Sequence, residues 1–79
     1  MTSQELQDRL LEELSRGPAG AYILAGELHE PPFRVLAELS ALKRGRLVTE
    51  HFSTDARLFS LTGSGIARLG GINHQLKVF

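Results

Sequence analysis

The hydrophobic residues of this chain change their spacing at Gly45, and that change limits what it can fold into. Before it, Leu6, Leu10, Leu11 and Leu14, and then Val35, Leu36, Leu39 and Leu42, recur at intervals of three and four. That is the signature of helices with one apolar face. After it, Leu47–Phe52 and Arg57–Leu61 are short runs rich in β-branched and aromatic residues, separated by Ser53-Thr54-Asp55-Ala56. This pattern predicts a hairpin with a polar tip. Helices followed by one hairpin define an α+β fold, because no second strand pair is left to build a larger sheet.

Local signals set the boundaries. Thr2-Ser3-Gln4-Glu5 fits a capping box, in which the Thr hydroxyl and the Glu carboxylate satisfy each other's free backbone N–H groups. The first helix is therefore placed at 3–16, with Gly17 and Pro18 ending it. Residues 21–28 predict a short helix despite Gly26, with a strand over Tyr22–Leu24 as the competitor. Pro31 forces Glu30 out of helical geometry, and Pro32 suits the first turn of a third helix that runs to Arg44 and is closed by Gly45. Thr62 can cap a short fourth helix through Leu69. Beyond Gly70-Gly71, Ile72, His74, Leu76 and Val78 alternate with Asn73, Gln75, Lys77 and Phe79. Period 2 predicts a half-buried strand there. Residues 1–69 are thus expected as one domain and 70–79 as a tail that forms a dimerisation strand, with a strand or arm packed within the monomer, or plain disorder, as the alternatives.

Composition narrows the function. The 79 residues, 42% of them hydrophobic and 23% charged, suffice for one folded domain that is marginal alone. Without cysteine there are no disulfides, thiolate metal sites or thiol nucleophiles. No apolar run approaches the ~20 residues of a membrane span, and a cytoplasmic location is expected. His29, His51 and His74 fall on three elements without ligand spacing, so no metal and no cofactor are expected. Thr62-Gly63-Ser64-Gly65 resembles an anion cradle but lacks the patterns of nucleotide-binding loops. No enzyme chemistry is expected.

Net charge is zero, but unevenly spread. Residues 1–31 carry two arginines against six carboxylates, whereas 32–69 carry six cations against Glu38, Glu50 and Asp55. Such a split orients a small domain towards an anion by one side.

The order helix, short helix, turn, helix, hairpin is that of a winged helix-turn-helix domain, which suits duplex DNA: the helix fits the major groove and the hairpin reaches the adjacent backbone. Gly17-Pro18-Ala19-Gly20-Ala21-Tyr22, the segment Leu36–Val48, and above all Arg57-Leu58-Phe59-Ser60-Leu61-Thr62-Gly63-Ser64-Gly65 strengthen this. Over about residues 5–69 the chain resembles bacterial winged-helix repressors, most of all the PadR type and next the MarR type. The resemblance implies a small transcriptional regulator that binds double-stranded DNA as a homodimer. It departs from those families in having only ten residues after Leu69, where they carry long dimerisation helices.

The expected DNA face is Arg34, Ala37, Ser40, Ala41 and Arg44 on the third helix, with Ser53, Thr54 and Arg57 on the hairpin contacting phosphates. A merely solvated helix face is the alternative for the first set, and a plain polar turn for the second. Phe33 is expected to cover the Pro31-Pro32 turn, with contact to a thymine methyl as the alternative, and Lys43 and Arg46 to act as helix C-terminal cations. Ile72, His74, Leu76 and Val78 are expected at the dimer contact. No separate effector domain is expected, hence no small-molecule effector. The competing function is a winged helix that binds proteins rather than DNA.

Overall fold

A computed structural model describes residues 1–77, and side chains through Gly71. Helix α1 spans Ser3–Leu14, α2 Ala21–Leu28 and α3 Pro32–Arg44; strands β1 Val48–Phe52 and β2 Arg57–Leu61 follow, then helix α4 Gly63–Lys77. The capping box forms as its sequence requires: Thr2 Oγ1 accepts from the Glu5 N–H at 3.1 Å, and the Glu5 carboxylate accepts from the Thr2 N–H at 3.4 Å. Residues 21–28 are helical, not extended. His29, with φ 55°, is the left-handed residue that ends α2.

The strands pair antiparallel with Val48 opposite Leu61, Glu50 opposite Phe59 and Phe52 opposite Arg57. Ser53 closes the tip, its N–H donating to the Ala56 carbonyl at 2.8 Å. On the free edge of β2, Ala19 and Phe59 exchange both backbone hydrogen bonds, at 3.0 and 2.9 Å, so the Gly-Pro segment ties the wing to the helices.

The core lies between α1, α3 and the base of the wing. Leu6, Leu10, Leu11 and Leu14 meet Val35, Leu39 and Leu42, and Val48 and Phe59 close one end. Burying a leucine of this kind stabilises by roughly 1.5–3 kcal/mol, so the thirteen buried apolar residues among those described are the principal support of the domain.

Three expectations are corrected. Gly45 closes α3 as its C-cap, at φ −79°, but the left-handed position that a glycine suits there is taken by Arg46, at φ 62°. The Leu47 N–H then reaches back to the Leu42 carbonyl at 2.9 Å, a bond that requires this position to be left-handed. Phe33 does not pack on the proline turn; it is 76% exposed.

The third correction is the largest. Residues 72–77 are not a strand: α4 continues through Gly70-Gly71 to Lys77. Leu69, Ile72 and Leu76 are spaced by three and four, so the segment satisfies helical and strand periods alike. A lone strand would leave its backbone groups unpaired, whereas a helix pairs them internally, and that outweighs about 1 kcal/mol for each glycine. Ile72, His74 and Leu76 thus sit on helical backbone, and Val78 lies outside the described residues. The start of α4 depends on Gly65, where a Cβ would overlap the Leu47 carbonyl oxygen. Thr62 fixes that start by donating to the Arg46 carbonyl at 2.6 Å and accepting from the Gly65 N–H at 3.0 Å.

Candidate nucleic-acid interface

Helix geometry divides α3 into three faces. With about 100° per residue, Phe33, Ala37, Ser40 and Arg44 fall within an arc of about 60°. All four are exposed. Opposite them, Val35, Leu39 and Leu42 are buried. Arg34 and Ala41 stand roughly 90° from the exposed stripe, on the flank that faces α1, and both are only partly exposed.

Arg34 is also occupied. Its guanidinium lies 3.4 Å from Glu30 and donates to the Met1 carbonyl, so it joins the start of α3 to the chain's first residue. Glu38 sits on the same flank, where hydrogen bonds from Gln7, at 2.8 Å, and from Ser3 hold its carboxyl below the usual range. Neither group is aimed outward. Of the five α3 residues expected on a DNA face, the structure gathers Ala37, Ser40 and Arg44 and leaves Arg34 and Ala41 aside.

The stripe runs into a cleft of about 340 Å³ between α3 and the wing, lined by Ser40, Lys43, Arg44, Glu50, Arg57 and Phe59. Strand alternation builds the wing side. Arg57 and Phe59 point to the face of the sheet that carries Val48 and Glu50, and Glu50 and Arg57 are diagonal neighbours across the two strands. The Glu50 side chain is only 8% exposed; Lys43 Nζ stands 2.7 Å from its Oε1, and the Arg57 guanidinium contacts its Oε2. Arg57 also lies over the Phe59 ring, 5.9 Å from its centroid. Among the described residues Arg44 has no carboxylate partner. Ser53 and Thr54 are exposed at the tip.

The cleft therefore has a cationic rim over an acidic floor. Sequence reasoning passed over Glu50 and Lys43 as site residues. The signal for Glu50 was present, since counting by two from Val48 places it on the inner side of β1, where a charge is unusual. A second cleft, of about 390 Å³, lies beside the first between the start of α2 and the wing, with Tyr22, Ile23 and Leu36 in its wall. Tyr22 and Ile23 are exposed, as Phe33 is. Among the described residues no three His, Cys, Asp or Glu side chains gather as a metal site, and no helix is long and apolar enough to cross a membrane.

Comparison with known proteins supports the fold. No protein-family model matches the sequence, and no curated protein matches it either. Solved structures do match. A variant of ZitR from Lactococcus lactis, in apo form, superposes with a TM-score of 0.86 at 19% identity, over 95% of this chain and 59% of that one. The transcriptional regulator BldR from Sulfolobus solfataricus gives 0.85 at 20%, over 92% of this chain and 55% of that one. The adhesin competence repressor AdcR from Streptococcus pyogenes gives 0.82 at 19%, over 89% and 55%. At these identities the likeness establishes the winged-helix fold. The chain spans between 50% and 59% of the length of such structures.

Proposed function

We propose that this chain is the DNA-docking part of a transcriptional regulator, a repressor, working in the cytoplasm as a homodimer. One observation carries the reading: the exposed small-residue stripe of α3 leads directly into a cleft rimmed by Lys43, Arg44 and Arg57. Ala37 and Ser40 let the helix approach base edges closely, Arg44 supplies an unpartnered cation, and Ser53, Thr54 and Arg57 meet the neighbouring phosphates. Proteins with this fold, among them a repressor and a transcriptional regulator, support it. The finer kinship, to PadR-type or MarR-type regulators, rests above all on Arg57–Gly65, with Gly17–Tyr22 and Leu36–Val48 beside it. The reading assigns no catalytic chemistry and no small-molecule effector.

Binding of a random duplex, measured by fluorescence anisotropy across salt concentrations, tests this. Phosphate contacts require log K to fall with log[salt] at about 0.9 per phosphate neutralised. Salt-independent or absent binding would overturn it.

We keep the homodimer contact in the tail, residues 70–79, and propose that its helical part, where Ile72 and Leu76 are one turn apart on α4, meets its counterpart in the second copy. Deleting 71–79 should then convert a dimer to a monomer by light scattering; a truncated protein that stays dimeric would refute that placement.

A second reading has its own support. Tyr22 and Ile23 are exposed in the wall of the second cleft and Phe33 is exposed on α3, and such apolar side chains fit a protein partner better than a polyanion. Phe33→Ser and Ile23→Ser separate the two, because loss of a protein partner with DNA binding unchanged would favour this second reading.

A further inference from the structure

Glu50 is the one group lining the cleft that opposes an anion, and its setting is specific. Its carboxylate is nearly buried, while the two cations on it are 52% and 56% exposed. Lys43 and Arg57 thus reach from the cleft floor to the surface, with the acid between their inner ends. Arg57 has a second contact in the Phe59 ring, 5.9 Å from its centroid.

Stability does not explain the acid. A buried ion pair is weak support for a fold, since replacing the whole pair by apolar residues of similar volume is often neutral or stabilising. What the acid does change is the charge offered to a duplex. With Glu50 ionised, Lys43 and Arg57 together present one net positive charge to the cleft; without it they present two.

We propose that Glu50 is a specificity-determining residue, an internal stand-in for a DNA phosphate. It holds Lys43 and Arg57 in the geometry of an anion complex while removing half of their net charge. Sequence-independent attraction falls, and discrimination shifts to base contacts along Ala37, Ser40 and Arg44. Because competing genomic sites are so numerous, lowering non-specific affinity raises the share of protein on its own sites. This inference rests on the DNA-docking reading above.

The test is the affinity of the full chain for a random duplex, measured from about 50 to 200 mM salt, for the natural protein and for Glu50→Gln. The Glu50→Gln variant should bind on the order of tenfold more tightly at the lowest salt, with the slope of log K against log[salt] steeper by about 1 to 2. Far-UV circular dichroism and thermal melting check its fold. Glu50→Asp covers the case in which the amide disrupts the wing: it keeps the charge but is too short to span both cations, and should show an intermediate gain. Natural protein that binds duplex with salt dependence, alongside folded variants that bind equally or more weakly, would overturn the proposal and make Glu50 a positioning group. No salt-dependent binding by any of the three proteins would instead overturn the DNA-docking reading, and the proposal with it.

Discussion

The inner and outer faces of α3 share thirteen residues and one backbone, yet they obey different physics. Val35, Leu39 and Leu42 are fully enclosed by α1 and the wing base, so each is fixed by volume and polarity. Phe33, Ala37, Ser40 and Arg44 touch solvent and are free of that constraint. Only the inner face is needed to fold, so what stands on the outer face is set by what the helix meets. Substitutions should therefore sort by face: inner ones in thermal stability, outer ones in binding.

The largest effect belongs to the inner face. Leu39→Ala removes a side chain with no exposed surface and should destabilise by about 2–5 kcal/mol, a large part of the stability of so small a domain. Ala37→Ser, two positions away on the outer face, should change it by less than about 0.5 kcal/mol. Thermal melts of the two variants check this, and comparable losses would mean that the faces are wrongly assigned.

Next comes Gly65, which extends the contrast to α4. Its missing side chain lets the helix start against the Leu47 carbonyl, so Gly65→Ala should cost about 1–3 kcal/mol through forced displacement. Gly70→Ala, where a Cβ meets nothing, should be neutral or stabilising. Chemical denaturation distinguishes them. A destabilising Gly70→Ala would show that its surroundings are filled.

The outer face gives the third effect. Arg44→Glu should weaken duplex binding by about tenfold or more and lower the salt slope by at least about 1, with the melting temperature nearly unchanged. Arg34→Glu should weaken binding much less, because its guanidinium is turned to Glu30 and Met1. Anisotropy titrations of both variants decide whether the stripe is centred on Arg44. If Arg34→Glu proved the more damaging, the docking face would lie on the flank instead.

What was legible in the sequence follows the same division. The inner leucines announced the helices, because burial imposes a period, and alternation in 47–61 announced the wing for the same reason. The outer face imposes no period, so Arg34 and Ala41 were grouped with Ala37, Ser40 and Arg44 on polarity and size, although about 90° separates them. Glu50 carried one local sign, its inward place by strand alternation, but its ion pairs across α3, β1 and β2 depend on tertiary distances that no local pattern encodes. Residues 72–77 were misread because Leu69, Ile72 and Leu76 fit two periods at once, and backbone hydrogen bonding decided between them. The bridge from Ala19 to Phe59 joins residues forty apart in the chain and left no local sign.

The smallest effect tests the flank that neither face claims. Glu38 accepts a hydrogen bond from Gln7 on α1, then one from Ser3, and both hold its carboxyl below the usual range. Its folded-state pKa is thus below its unfolded one, so the unfolded chain binds the proton more readily and stability rises with pH in this region. The contribution is present in full above the unfolded carboxylate value, near pH 4.3 to within about half a unit, and fades as pH falls through the lowered folded value. Gln7→Ala removes the largest cause, so the Glu38 titration should move up towards the ordinary value when followed by NMR. The acid limb of a stability profile should flatten slightly, while duplex binding at neutral pH stays unchanged, since the flank faces α1 and not the cleft. An unmoved Glu38 titration would show that Ser3 and the Arg34 charge, not Gln7, set its acidity. A loss of duplex binding would show that the α1 flank belongs to the docking surface after all.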